Sequence, residues 1–354
     1  MVDWTSTMQQ TYEFYEVDPA SWKDIRQIRT VRTCTINRDA SAETLGSASL
    51  SVTESIGECY VRIYLITIQN GVREKHPLGT FLVQTPSSSY NGRIRSMTMD
   101  AYTPLIELKE KQPPLGFTVI KSETETIMAA AHRLAQEYMR GPVVPAKSDT
   151  KFSSNFTANA DDTWLTFISD LAASDKFTLD LDEMGRTLFS PVQEIEALQP
   201  ICTFDDGNSS ILYPEVSLQH DIYGIPNVVE VSYSNGSAVF YSRQANNDEN
   251  SPTSIQSRGR EITHRVDNPK LAGVTTQEEV DEYAKHVLKE MSTIEYTITY
   301  THGYRPVRLG DCVRLDYARA DLRDIRAKVI SQSIKCEPGC PVTEKAIFTK
   351  KLWG

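Results

Sequence analysis

The sequence predicts a mainly β protein with an α+β insert: two small antiparallel β-barrels with a helical α+β module between them. In two regions, short segments with alternating apolar and polar residues are separated by closely spaced turns, which is typical of small barrels. Between these regions, apolar residues recur at helical spacing. Of the 354 residues, 40% are hydrophobic and 24% are charged, so the chain can form packed cores.

The order of these patterns predicts four parts. Residues 1–24 are an N-terminal arm, because their aromatic and polar residues show no sustained period. Residues 25–109 form the first β-barrel and residues 110–203 form the α+β module. Residues 204–354 form the second β-barrel, with a helix inserted at about 276–291.

Two segments are the strongest predicted strands of the first barrel. SASLSVTES alternates Ala48, Leu50 and Val52 with serine and threonine, the pattern of a half-buried strand. An Asn91-Gly92 turn joins two later strands. In CYVRIYLITI the alternation predicts two opposite faces, one with Tyr60, Arg62, Tyr64 and Ile66 and the other with Val61, Ile63 and Leu65.

Two helices and a hairpin are predicted in the module. The first helix ends at Gly141-Pro142, and Asp161 or Asp162 caps the second. The segment KFTLDLDEMGRTLFSPV alternates on both sides of DEMG and predicts a hairpin. The apolar stripe of the first helix is Ile127, Ala131, Leu134, Ala135 and Tyr138, and that of the second is Trp164, Ile168, Leu171 and Ala172.

Turn signals also organise the second barrel. Ser234-Asn235-Gly236 predicts a hairpin between two strands. Gly310-Asp311 predicts a turn into a strand that contains Val313, Leu315 and Tyr317. The inserted helix carries acidic residues first and lysines later, which matches the helix dipole; its apolar stripe is Val280, Tyr283, Ala284, Val287, Leu288 and Met291.

The charge of the chain excludes some functions. The formal net charge is −10 and the isoelectric point is near 5.2, which argues against a general binder of nucleic acid or anionic membranes. A local basic patch at Arg26, Arg29 and Arg32 remains open. No apolar run approaches the about 18 residues of a membrane span. The N-terminus lacks the features of a signal peptide, so we expect assembly in a cytoplasm.

The candidate metal ligands are few. Cys336-Glu-Pro-Gly-Cys340 resembles half of a zinc site, but such a site needs four ligands. A turn with free thiols, or with a disulfide formed outside the cell, is the favoured alternative. Asp180, Asp182 and Gly185 resemble part of a calcium loop, yet the enclosing leucines favour a hairpin. Asp205-Asp206-Gly207-Asn208 is interpreted as a turn.

Catalytic motifs are absent from the sequence. It contains no HExxH, no GxSxG and no phosphate-binding glycine loop. We therefore predict no catalytic, cofactor-binding or metal-binding residues and no cofactor. The Asn-X-Ser/Thr sequences at Asn155, Asn208 and Asn235 are interpreted as chance matches. The histidines are isolated in sequence, at His76, His132, His220, His264, His286 and His302.

Two sets of segments resemble bacteriophage baseplate or tail hub proteins of the late-control gene D type, which also occur in phage-tail-like particles. The first set, VRTCTINRDASAETLGSASLSVTES, YVRIYL and HPLGTFLVQTPSSSYNGRIRSMTMDAYTPLIEL, is similar to the first barrel of that family. The second set, ITHRVDNPKLAGVTTQEEVDEYAKHVLKE, YRPVRLGDCVRLDY and IRAKVISQSIKC, is similar to its inserted helix and second barrel. The order and spacing agree from about residue 25 to the end.

The resemblance implies a non-enzymatic structural role. Three subunits with two barrels each would form a homotrimeric, pseudo-sixfold ring in the virion tail. That ring would join a hexameric tail tube or distal tail protein to a threefold spike or tail-tip protein and line the channel for the tape-measure protein and DNA. An acidic lining would not hold DNA, so stable nucleic-acid binding is not expected.

Two other functions remain open. A tail-tip module that binds host carbohydrate needs exposed aromatic side chains, for which Tyr12, Tyr15 and Tyr90 are candidates. A cell-wall hydrolase needs a cleft with two carboxylates at catalytic separation.

Overall fold

The structure is a computed structural model that describes residues 2–53, 56–90, 92–93, 95–122, 124–220, 222–234, 238–269 and 276–351. The helices are α1 (Ile106–Lys109), α2 (Ile127–Tyr138), α3 (Trp164–Ser174), α4 (Ile255–Arg258) and α5 (Gln277–Met291). The strands are β1 (Gln9–Val17), β2 (Asp24–Ile28), β3 (Val31–Asp39), β4 (Gly46–Val52), β5 (Tyr60–Gln69), β6 (Val72–Tyr90), β7 (Arg95–Tyr102), β8 (Thr118–Val119), β9 (Phe156–Thr157), β10 (Phe177–Leu181), β11 (Thr187–Pro191), β12 (Pro200–Asp205), β13 (Leu212–His220), β14 (Val228–Ser234), β15 (Val239–Ala245), β16 (Thr263–Asp267), β17 (Thr293–Gly303), β18 (Cys312–Tyr317), β19 (Leu322–Lys335) and β20 (Pro341–Lys351).

The chain forms two compact units. The larger unit comprises Met1–Val216 and Tyr300–Lys345, and the smaller unit comprises Ser217–Thr299 and Ala346–Gly354. The predicted mainly β class with an α+β insert is confirmed. The four predicted domain boundaries stay a prediction.

The main sheet is one continuous ladder. Its strands follow the order β19-β3-β4-β7-β6-β5-β1-β2, continued beyond β19 by β20, β17 and β13. β3 pairs antiparallel with β4 on one side and with β19 on the other. This second pairing connects the two predicted barrel regions, so the strand pairings of the described residues show an open ladder and no closed barrel.

The predicted N-terminal arm, residues 1–24, contains a sheet strand that the sequence pattern did not indicate. β1 pairs along its whole length with β5, from Gln9 opposite Ile68 to Val17 opposite Tyr60, and it also pairs with β2. Phe14 and Val17 are buried. The sequence showed no sustained alternation here because most β1 side chains are only partly covered.

The strand β5 is buried on both of the opposite faces that its alternation predicts. Residues 60–67 are all buried, and β5 lies between β1 and β6 in the sheet. Arg62 is among them and is 1% exposed. A buried strand of the sheet therefore holds a charged side chain.

The α+β module has the two helices and the hairpin that the sequence predicts. α2 and α3 pack through buried residues that include Leu134, Trp164 and Leu171, and β10 pairs antiparallel with β11. The predicted cap of the second helix is wrong. Thr163 caps α3 in a capping box with Thr166, whereas Asp162 accepts a hydrogen bond from the Asn159 N–H, 2.7 Å away.

The smaller unit contains a three-stranded sheet covered by α5. Its order is β15-β14-β16, and Val280, Ala284 and Leu288 of α5 are buried as predicted. The β14–β15 hairpin is confirmed, although its Asn235-Gly236 turn lies outside the described residues.

The predicted Gly310-Asp311 turn leads into β18. Gly310 has φ +83°, a conformation that favours glycine. The Asp311 carboxylate accepts a hydrogen bond from the Arg308 N–H at 2.7 Å, which holds the turn closed. This turn is therefore a structural feature of the sheet, as the sequence indicated.

Candidate functional site

The sequence candidates for metal binding lie in turns. Cys336 and Cys340 flank the turn between β19 and β20, and both thiols are free. Across the part of the chain that the structure describes, no three His, Cys, Asp or Glu residues are grouped to hold a metal ion.

The acidic candidates bind protein groups. Asp182 accepts hydrogen bonds from Arg186, through the N–H at 2.8 Å and through Nε at 2.5 Å. Asp180 accepts a hydrogen bond from the Ser190 hydroxyl at 3.2 Å. Asp205 accepts one from the Gly207 N–H at 2.9 Å. These carboxylates stabilise the hairpin and turn that the sequence favoured over calcium loops.

A fully buried polar cluster surrounds Glu344 of β20. The Tyr300 hydroxyl donates to Oε2 at 2.5 Å, and the Gln332 amide donates to Oε1 at 2.6 Å. His302 Nε2 lies 3.3 Å from Oε1. All four side chains are at most 2% exposed. Without access to solvent, this cluster is suited to holding strands together.

The protonation of this cluster follows from its geometry. His302 Nδ1 lies 2.6 Å from the Gly303 carbonyl oxygen, which can only accept, so Nδ1 carries a proton. Burial would raise the pKa of Glu344, but contacts with His302, Tyr300 and Gln332 outweigh it and hold that pKa below its ordinary value. Glu344 is therefore a carboxylate inside the protein.

A second polar cluster surrounds Arg62. Its guanidinium lies 2.9 Å from Asp24 Oδ1 and donates to the Thr80 hydroxyl at 2.9 Å. It also donates to the carbonyl oxygens of Trp22, at 3.3 Å, and Met184, at 3.1 Å. Because these partners come from separate segments, Arg62 connects the sheet with the β10–β11 turn.

The same turn is fixed by close packing and by charge. Gly185 has φ +75°, and a Cβ there would lie 2.7 Å from the Cβ of Thr80, so only glycine fits. Glu183 forms ion pairs with Arg38 at 3.5 Å and with Arg308 at 3.3 Å. An adjacent cavity of about 40 Å³ has room for ordered water. The α+β module is thus attached to the sheet through polar contacts.

Sequence reasoning missed both clusters. Arg62 was placed in an alternating strand and Glu344 was not singled out, although each is a charged residue whose neighbours two positions away, on the same strand face, are apolar or aromatic. That local signal could have marked both positions. Their partners could not be found locally, because Met184 lies 122 positions from Arg62.

The aromatic candidates for carbohydrate binding differ in exposure. The Tyr12 hydroxyl donates to the Glu337 carbonyl oxygen at 2.7 Å, and Tyr15 packs edge-to-face on Tyr64. Tyr90 is 70% exposed. Tyr12 and Tyr15 therefore contact other segments of the protein, and the exposed Tyr90 donates to the nearby Gly92 carbonyl oxygen at 3.0 Å.

An exposed strand, β13, forms one edge of the sheet. β13 is nine residues long, stands at the end of the strand order, and has seven exposed side chains. Pro214 within it lacks an N–H and is typical of edge strands. At the opposite end of the strand order, β2 is five residues long.

In the predicted basic patch, Arg26, Arg29 and Arg32 are all exposed, and Arg26 pairs with Glu16 at 2.6 Å. No helix in the described ranges is long and apolar enough to cross a membrane.

Comparison with known proteins gave matches through structure alone. No protein-family model matches the sequence, and no curated protein matches it. The chain shares its fold with solved tail proteins, one of them from a prophage. The resemblance found in the sequence is therefore confirmed for the fold.

Three solved structures illustrate the match. The tail protein from Neisseria meningitidis MC58 is 11% identical, and the alignment covers 97% of this chain and 98% of that chain with a TM-score of 0.60. The 43 kDa tail protein of prophage MuSo2 from Shewanella oneidensis is 12% identical, with 96% and 98% covered and a TM-score of 0.59. The Francisella PdpA-VgrG complex is 7% identical, with 96% of this chain and 52% of that chain covered and a TM-score of 0.55.

Proposed function

We propose that this chain is a non-enzymatic structural protein of a phage tail or a phage-tail-like particle. The observation that carries this proposal is the match over nearly the full length of two tail proteins. The clusters around Glu344 and Arg62 support it, because both are built to hold strands and turns together. A fold can host several functions, so the role needs its own test.

The finer proposal is a tail or baseplate hub. Three copies form a ring with pseudo-sixfold symmetry that joins the tail tube or distal tail protein to the spike or tail-tip protein. The ring surrounds the channel for the tape-measure protein and DNA. The net charge of −10 supports a channel that does not retain DNA.

The edge strand β13 supports assembly through strand pairing. An exposed strand edge offers unpaired N–H and C=O groups to another chain. Tyr213 and Leu218 in β13 are 43% and 45% exposed, so apolar area is available beside these groups. We assign β13 to the subunit interface of the proposed ring.

The oligomeric state tests this proposal. Mass photometry of the purified chain should show a species near three times 39.8 kDa. Leu218→Asp should shift the distribution towards monomer, since it places a charge on the pairing edge. Ile120→Asp is the matched control, because Ile120 is 71% exposed outside β13. A chain that stays monomeric at micromolar concentration contradicts the ring.

Three further measurements separate the tail role from its alternatives. Imaging of particles with an antibody against this chain should place it at the tail end next to the tube. Zymography on peptidoglycan should show no clearing, and a cleared zone from the purified chain would favour a cell-wall hydrolase. Specific binding on a glycan array, reduced by Tyr90→Ala, would favour the carbohydrate-binding alternative.

A further inference from the structure

Two cysteines face each other across neighbouring strands. The register of β3 and β19 places Thr35 opposite Lys335, so the next pair outward is Cys34 and Cys336. The Cys336 N–H donates to the Cys34 carbonyl oxygen at 2.9 Å, which extends the pairing by this one step. Directly opposed side chains of an antiparallel pair lie on the same face.

This arrangement has the dimensions of a disulfide. Opposed residues that share backbone hydrogen bonds have Cα atoms about 5.5 Å apart, within the range of about 4.4–6.8 Å that disulfides adopt. Cys34 is 4% exposed in the core of the larger unit, and Cys336 packs against that core. The contact with the Cys34 thiol, together with burial, raises the pKa of Cys336 well above its ordinary value, as expected for two thiols side by side.

We propose that Cys34 and Cys336 form a disulfide that links β3 to β19 when the protein meets an oxidising environment. The inference does not depend on the proposed tail function. It replaces the pairing that the sequence left open, between Cys336 and Cys340.

The reaction needs a small disulfide such as oxidised glutathione. The Cys336 thiolate attacks one sulfur of that disulfide, forms a mixed disulfide, and releases one small thiol. The Cys34 thiolate then attacks Cys336 Sγ and releases the second small thiol. Two protein thiols are oxidised, one small disulfide is reduced, and the two protons pass to the released thiols. The raised pKa of Cys336 makes the first step faster at alkaline pH.

The geometry favours Cys34 over Cys340 as the partner. Cys340 lies on the far side of a tight turn, is fully buried, and has φ +43°. Its thiol contacts the Tyr12 hydroxyl, whose proton is donated to Glu337 within the same turn. Pairing of Cys336 with Cys340 would require this turn to rearrange, whereas pairing with Cys34 uses strands already in register.

Peptide mapping of the full chain tests the pairing. The reduced protein is incubated with oxidised glutathione at pH 8, free thiols are alkylated, and trypsin is added. Cleavage after Arg32, Arg38, Lys335 and Lys345 releases residues 33–38 and residues 336–345. We expect these peptides as one species of summed mass less two hydrogens, which separates on reduction. An internal disulfide in 336–345 overturns the proposal, and so does retention of all six alkylated thiols.

Variants assign the linkage, because 336–345 contains both candidate cysteines. Cys340→Ser should keep the linked species, whereas Cys336→Ser should abolish it. Cys59→Ser is the matched control, because Cys59 is half-buried and lies outside this group. Oxidation of the wild type should raise the melting temperature by several degrees, since the link closes a long loop. Loss of the linked species in Cys340→Ser would contradict the assignment without bearing on the ring.

Discussion

The larger unit buries charged side chains, whereas the smaller unit keeps its charges at the surface. In the larger unit, Arg62, Glu107, His302 and Glu344 are all at most 5% exposed. In the smaller unit, the core between the sheet and α5 is apolar, and the buried polar side chains described there are neutral ones of Asn, Ser and Thr. Its Glu230 instead pairs at the surface with Arg265, which is 80% exposed.

This difference determines how much the loss of a charged side chain should change the stability of each unit. Removing one partner of a buried ion pair leaves the other charge without compensation, which costs far more than the pair itself contributes. An exposed pair is solvated before and after substitution, so its loss changes little. The two units should therefore respond very differently to similar substitutions.

The largest effect is expected from Arg62→Met. The substitution removes the nearer of the two cations that pair with Asp24, the other being Lys75, and leaves the Trp22 and Met184 carbonyl oxygens without their donor, so we expect a loss of about 3–5 kcal/mol in unfolding free energy. Urea denaturation measures it. Arg73→Met is the control, because the Arg73 side chain is 51% exposed and pairs with Glu13. Equal losses in both variants would remove the contrast between buried and exposed pairs.

A somewhat smaller loss is expected from Glu344→Gln. The amide keeps one acceptor oxygen, so the donors from Tyr300 and Gln332 compete for it and His302 loses its carboxylate. We expect about 3 kcal/mol, measured by urea denaturation at pH 7. Glu295→Gln at an exposed position of β17 is the control. Hydrogen exchange should also rise in β17 and β20 of the variant, and unchanged exchange there would show that the cluster does not hold these strands.

The Glu344 carboxylate makes the stability of the larger unit depend on pH. The pKa of Glu344 is lower in the folded protein than its ordinary value of 4.5, so the unfolded state binds its proton more readily. Its contribution to stability is therefore present above pH 4.5 and is lost as pH falls through the folded-state pKa. Melting temperatures between pH 3 and 7 should fall less steeply in Glu344→Gln than in the wild type. Parallel curves would contradict a paired carboxylate.

A loss of about 1 kcal/mol is expected from Thr163→Ala. The Thr163 hydroxyl caps α3 by accepting from the Thr166 N–H at 3.1 Å, and removal of such a cap has this typical cost. Asp162→Ala should cost less, because Asp162 is outside the capping box although it carries the charge. Chemical denaturation of both variants decides between them, and the reverse order would restore the cap predicted from the sequence.

The smallest effect is expected from Glu230→Gln in the smaller unit. Its partners Arg243 and Arg265 are 39% and 80% exposed, so water replaces the lost contacts. The melting temperature should not change measurably. A loss of stability as large as that of Arg62→Met would show that an exposed ion pair in the smaller unit contributes as much as a buried one in the larger unit.

The sequence predicts elements whose stabilising contacts are local. The stripes of α2 and α5 and the alternation of β10 and β11 repeat within a few residues, and the structure has these elements at the expected positions. The predicted cap of α3 was wrong because the Asp162 carboxylate and the Thr163 hydroxyl are adjacent in the sequence and either group can cap a helix. The strand β1 was missed because its partners, rather than its own pattern, order it.

Of the two polar clusters, the sequence could indicate only the central charged residue of each, without its partners. A charge at position 62 or 344 is visible in the sequence, but the groups that satisfy it lie on other strands. Tyr300 lies 44 positions before Glu344. The open ladder was missed for the same reason, because the contact between β3 and β19 depends on residues far apart in the chain.

The pairing of β3 with β19 has a consequence for synthesis on the ribosome. Thr35 and Lys335 are partners in the ladder and are separated by 300 positions in the chain. At about 5–20 residues per second, the edge of β3 waits about 15–60 s for its partner to emerge. During that interval the edge of β3 can pair with nascent chains on neighbouring ribosomes. Binding by a holding chaperone, or slow translation of the early segment, should therefore change the fraction of the protein that reaches the folded state.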